Sequence, residues 1–114
     1  SIRAFVQQIY ENETTIDLLI NNAAIGHNLL TLQLLSLLQK APKSRVVTVS
    51  SRVYASGRIH FENIHLRNGA FEMLAAYSQS KLANILFTRE LAKRLGADTT
   101  INAYSLHPGA VNTE

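Results

Sequence analysis

The chain has 114 residues, 46% of them apolar and 17% charged, with five Gly, two Pro, no Cys and a formal charge of +3. That balance is ordinary for a globular domain and excludes disordered, collagen-like and low-complexity chains. The absence of Cys excludes disulfides, thiolate zinc sites and thiol nucleophiles. The longest apolar stretch, Leu29 to Leu38, is interrupted by Thr31, Gln33 and Ser36 and falls well short of the roughly 20 residues a bilayer requires. Ser1 to Phe5 lacks the basic start and apolar core of a secretory signal, and a chain that begins without Met reads as a cut piece. Arg45, Arg52, Arg58 and Arg67 are scattered through loops, and Lys93 and Arg94 close a helix whose dipole favours cations there. No basic face suited to nucleic acid results.

Ile2, Phe5, Val6 and Ile9 recur at steps of three and four, which predicts an amphipathic helix from Ser1 to about Tyr10. After Asn12-Glu-Thr-Thr, Ile16 and Leu18-Leu-Ile20 form a short apolar run closed by Asn21-Asn22, the pattern of a parallel strand buried on both faces. His27 to Gln39 is Leu-rich, too long for a strand and nearly free of β-branched residues, so a helix is expected, stopped by Ala41-Pro42. Arg45-Val-Val-Thr-Val-Ser50 predicts a second buried strand with Ser51 at its carboxyl end. Ser56-Gly57 through Asn68-Gly69 reads as a long surface excursion, a kind of loop that is often functional. From about Phe71 to Leu95 a helical pattern returns, with Leu82, Ile85, Leu86, Leu91 and Leu95 on one side, and Gly96 is a natural stop. Ile101 to Leu106 predicts a third strand, ended by His107-Pro108-Gly109.

Helices alternating with strands imply an α/β fold with a parallel sheet and right-handed crossovers. Ligands of such sheets bind beyond the carboxyl ends of the strands, which singles out Asn21 to Ala24, Ser50-Ser51, and Pro108 to Thr113. Tyr77 and Lys81, four apart on a helix, share a face. An ammonium beside a phenol favours the phenolate, so Tyr77 is a candidate general acid or base. A hydroxyl at Ser51 could hydrogen-bond a substrate oxygen across the cleft. Asn22, Ala23 and Ala24 offer a small-residue surface for close approach of a nucleotide, and the Pro108 to Thr113 loop offers backbone amides and the Thr113 hydroxyl. His27, His60, His65 and His107 have no metal-ligand spacing, so no metal is expected. Asn12-Glu13-Thr14 matches a glycosylation acceptor, a frequent triplet read here as chance.

Leu18-Leu-Ile-Asn-Asn-Ala-Ala, Val46-Val-Thr-Val-Ser-Ser, Tyr77-Ser-Gln-Ser-Lys-Leu-Ala-Asn and His107-Pro-Gly-Ala-Val-Asn-Thr together resemble the short-chain dehydrogenase/reductase family. Gly57 to Ile64 and Ala76 to Leu95 are similar to its retinol-dehydrogenase-like branch. The resemblance implies a Rossmann-like doubly wound fold and an NAD(P)-dependent oxidoreductase that interconverts an alcohol and a carbonyl. It implies that Tyr77 exchanges the proton, Ser51 positions the substrate oxygen, and Lys81 also binds the nicotinamide ribose. Asn22, Ala23 and Ala24 would lie near the adenosine half, and Pro108, Gly109, Val111 and Thr113 beside the nicotinamide. For the branch it suggests NADP (or NAD) and a small lipophilic, retinoid-like alcohol, aldehyde or ketone. It also suggests self-association as a homodimer and an intracellular location, with attachment to endoplasmic reticulum or mitochondrion through a preceding segment.

Three features depart from the family pattern. No glycines have the spacing of the dinucleotide loop, so residues 1–114 are expected to form a partial domain that lacks the first strands and the phosphate cradle. Ala24-Ile25 runs directly into Gly26-His27, where the family carries a stretch with a helix-borne catalytic Asn. Ala24 also stands where Gly is usual. A truncated, non-catalytic interaction or regulatory form is therefore the alternative reading.

Overall fold

The computed structural model describes residues 1–23, 26–67 and 72–110. Helix α1 (Ile2–Asn12) starts at Ser1, whose hydroxyl accepts from the Ala4 N–H at 3.3 Å and so satisfies one of the unpaired amides of the first turn. The Tyr10 hydroxyl donates to the Gln33 carbonyl at 2.8 Å and ties α1 to the following helix. Strands β1 (Leu18–Asn21), β2 (Ser44–Val49) and β3 (Ile101–Leu106) form a parallel sheet in that spatial order. Leu19, Val46 and Ala103 stand in register across it, as do Asn21, Thr48 and Ser105.

The hydrophobic core lies on the face that carries those residues. Leu38, Val46, Leu91 and Ile101 are buried there, packed by Ile16, Leu19, Leu35, Phe87, Leu95 and Ala103. The opposite face departs from the expectation of strands covered on both sides. Leu18, Ile20, Tyr104 and Leu106, which alternate with the core residues, are 45–59% exposed. The reason is topological: right-handed crossovers between successive strands that advance in one direction set their helices on the same side.

The Leu-rich segment is two helices rather than one, α2 (His27–Gln33) and α3 (Leu35–Lys40). At Leu34 the backbone turns to φ −96°, ψ 1°, and its amide reaches the carbonyls of both Leu30 and Thr31. The break re-aims the second half, so that Leu34, Leu37 and Leu38 are all fully enclosed. The excursion after β2 is also more ordered than its composition suggests, with 3-10 turns at Arg52–Ser56 and Phe61–Asn63.

Helix α4 (Met73–Leu95) ends at Gly96, whose φ of 74° suits a residue without a side chain. Its buried stripe is not the leucine stripe expected. Ser78, Gln79, Ser80, Lys81, Asn84 and Thr88 are buried, whereas Leu86 is exposed. The first four turns of α4 pack on strand ends and loops, where most buried polar side chains are hydrogen-bonded although Asn84 Nδ2 has no partner among the described residues, and only Phe87, Leu91 and Leu95 reach the hydrophobic core.

Candidate functional site

Because the sheet is parallel, the three strands release their chains at one edge. Asn22 and Ala23 follow β1 and are exposed, Ser50 and Ser51 follow β2, and His107, Pro108, Gly109 and Ala110 follow β3 and are exposed. The Ser50 amide donates to the Leu106 carbonyl at 2.7 Å, so pairing of β2 with β3 continues one residue past the β2 strand. Of the residues expected at this edge, Ala24, Val111 and Thr113 lie outside the described residues.

The N-terminal half of α4 is fastened to the end of β2. The Ser50 hydroxyl donates to the Lys81 carbonyl at 2.9 Å, and Lys81 Nζ donates to the Val49 carbonyl at 3.1 Å. Lys81 is only 4% exposed, and its Nζ lies 5.5 Å from the centroid of the Tyr77 ring. Tyr77 is 41% exposed, so its ring shields the ammonium on one side and meets solvent on the other. Ser51 is half-buried and caps the Arg52–Ser56 turn through its backbone, with no capping bond from its side chain. Tyr77, Lys81 and the end of β2 that leads into Ser51 are thus brought together, while Asn22 and Ala23 stand at the β1 end of the edge.

An adjoining cleft of about 270 Å³ is lined by Ser50, Tyr54, Ile85, Ser105, Leu106 and His107. It lies between α4 and the β2–β3 end, and neither Tyr77 nor Lys81 lines it.

A buried polar network behind Lys81 escaped the sequence reading. His27 Nε2 lies 3.0 Å from Asn84 Oδ1, joining α2 to α4. Asn21 donates to the Thr31 hydroxyl at 2.8 Å, and that hydroxyl donates to the His27 carbonyl at 2.8 Å, joining α2 to β1. Burial lowers the pKa of His27 below its ordinary value, and the nearby Lys81 charge adds to this. The bond to Asn84 and the Ala23 carbonyl act in the opposite direction. The available signal was spacing: Lys81, Asn84 and Thr88 lie three and four apart and therefore share one helix face. Among the described residues no group of three potential ligands could hold a metal ion.

A dinucleotide would need a nicotinamide-ribose site and a pyrophosphate cradle. The strand ends and the Tyr77–Lys81 turn suit the first. The described glycines do not build the second: Gly57 abuts the Ser78 carbonyl, Gly96 and Gly109 face open space, and Gly26 opens the seven-residue α2 beside Ile2.

The architecture is that of a Rossmann-like α/β fold, of which the described residues contain three parallel strands and their flanking helices. No protein-family model matches the chain. Its sequence is 43% identical to "Retinol dehydrogenase 14" of Mus musculus, in a match that covers 99% of this chain and 40% of that protein. A crystal structure of a Mycobacterium paratuberculosis protein of uncharacterised function superposes with a TM-score of 0.80 at 36% identity, over 99% of this chain and 48% of that one. An Escherichia coli short chain dehydrogenase crystallised with NADPH shares the fold, with a TM-score of 0.71 at 22% identity over 95% of this chain and 49% of that one. Over nearly its whole length the chain is similar in sequence to retinol dehydrogenases, and in fold to short-chain dehydrogenases. It spans about 40% of the length of the curated relative. The match extends over 135 positions while this chain has 114 residues, so at least 21 positions of the relative have no counterpart here.

Proposed function

We propose that these residues form the proton-handling half of an NAD(P)-dependent oxidoreductase that interconverts a lipophilic, retinoid-like alcohol with its carbonyl compound. The observation that carries the reading is the buried Lys81 ammonium, held by the Val49 carbonyl beneath the half-exposed Tyr77 ring. In this reading the Tyr77 phenol gives its proton to the carbonyl oxygen during reduction and takes it back during oxidation. Lys81 supplies the positive charge that supports the phenolate, and the Ser51 hydroxyl fixes the reacting oxygen by a hydrogen bond. NADP, or NAD, would supply or accept the hydride when bound, with Lys81 and Tyr77 on its ribose side, Asn22 and Ala23 toward the adenosine half, and Pro108 and Gly109 beside the nicotinamide. The retinol dehydrogenase relatives support the substrate class.

Turnover of a retinal-like aldehyde with NADPH, measured for the chain and for Tyr77→Phe, tests the reading. A rate in the parent that falls in the variant supports it, and equal residual rates reject it. The second reading, a non-catalytic form that keeps the helices, is favoured by the absence of a pyrophosphate cradle among the described residues and by the unmatched positions. That form would bind NADPH no more tightly than Tyr77→Phe does. Exposed Leu29, Leu32 and Leu86 on the outer sides of α2 and α4 support self-association as the partner mode. No described helix is long and apolar enough to cross a membrane.

A further inference from the structure

Between Tyr77 and Lys81 stands Gln79, a buried amide to which the chemistry above gives no task. Its side chain is 9% exposed and spends both ends on the loop that follows Ser51. Gln79 Oε1 accepts from the His60 N–H at 2.9 Å, and Gln79 Nε2 donates to the Ile64 carbonyl at 3.0 Å. The preceding residue touches the same loop, with the Ser78 and Ser56 hydroxyls 3.5 Å apart and Gly57 lying against the Ser78 carbonyl. The loop is braced internally as well. The Asn63 side chain both donates to the Arg67 carbonyl and accepts from the Arg67 amide at 2.9 Å, and buried Leu66 adopts a left-handed φ of 50°. A leucine in that conformation stays only where its surroundings over-determine it. Helix α4 has no side-chain cap at its start, so these contacts tie its early turns to loop 57–67.

We propose that Gln79 is a positioning residue: it clamps loop 57–67 to the helical turn that carries Tyr77 and Lys81, and so sets the wall that a carbonyl substrate meets beside Tyr77. The consequence for substrate rests on the oxidoreductase reading above, whereas the clamp does not. The loop presents Phe61 and Ile64 to solvent, 83% and 48% exposed, which suits an apolar substrate body.

Limited trypsin digestion of the chain, read by mass spectrometry, compares cleavage after Arg58 and Arg67 in the loop with cleavage after Arg45 inside β2, which reports global opening. Gln79→Met keeps the length and removes both hydrogen bonds, and it should raise loop cleavage about tenfold relative to the Arg45 bond. Gln79→Glu keeps the acceptor for His60 but sets a buried carboxylate oxygen against the Ile64 carbonyl, and should raise loop cleavage at least as much. Unchanged relative cleavage in both variants overturns the clamp, and normalisation to Arg45 keeps a poorly folded variant informative. In the turnover assay, Gln79→Met should raise KM for the aldehyde several-fold and leave KM for NADPH unchanged. An opened loop with unaltered aldehyde KM overturns the positioning role. A loop that opens in the variants, together with a parent protein that shows no turnover, leaves the clamp standing and removes the oxidoreductase reading.

Discussion

Ser50 and Lys81 hold each other's segments at two points: the serine hydroxyl bonds the lysine carbonyl, and the lysine ammonium bonds the carbonyl of Val49, the residue before the serine. The reciprocity fixes both the height of α4 over the sheet and the direction of the Lys81 side chain. Neither bond depends on a ligand, so the ammonium is in place before one arrives.

Ser50→Ala should therefore destabilise the fold by about 0.5–1.5 kcal/mol, because a buried hydrogen bond is lost while the Lys81 carbonyl keeps its partner within α4. Urea unfolding measures this. A loss below a few tenths would mean that the clasp contributes little.

Gly57 has an ordinary extended backbone, with φ −73° and ψ 148°, so its need for glycine is steric. A Cβ there would sit 2.5 Å from the Ser78 carbonyl oxygen and 3.0 Å from that of Tyr54. Gly57→Ala should cost about 1–3 kcal/mol as backbone is pushed aside, and the thermal midpoint should fall. Gly96→Ala meets nothing within 4 Å, and its smaller penalty would come from the positive φ alone.

The buried His27 predicts a pH dependence. Its folded pKa lies below the ordinary 6.5, chiefly through burial. As pH falls from about 6.5 toward that lower value, the unfolded chain takes up a proton that the folded chain refuses, and stability present above the window is lost within it. Unfolding free energy measured from pH 8 to pH 5 should decline on the acid side. His27→Gln, whose amide can still meet Asn84, should flatten that decline, and an unaltered slope would refute the assignment.

Tyr77→Phe keeps the ring over the Lys81 ammonium and removes only the hydroxyl. If Tyr77 handles the proton, turnover should drop about 10²- to 10⁴-fold with a circular dichroism spectrum and melting point near those of the parent. A collapse in stability would indicate a packing role instead.

Much of this was readable in the residues because local pattern and tertiary structure agree there. Strand β2, the Gly96 stop and helix α1 follow from β-branching, helix termination and the spacing of apolar residues. The approach of Lys81 to the Tyr77 ring follows from their spacing of four on one helix. The kink at Leu34 was not readable, since leucines on every side of the segment say nothing about which of them must face the sheet. Nor was the polar stripe of α4, because periodicity counts apolar residues and is blind to a face buried by hydrogen bonds. Gln79 and the His27–Asn84 pair belong to that blind spot, and their partners lie 15 to 57 residues away in the chain.

The spatial order of the three strands copies their order of synthesis. No segment has to be threaded between two others already paired, and each new strand is laid on the outer rim of what precedes it. Leu18 to Leu106 can therefore assemble progressively, one βα step after another, as a nascent chain lengthens. Any additional strand would join at a rim, beside Leu18–Asn21 or beside Ile101–Leu106, without undoing what had formed.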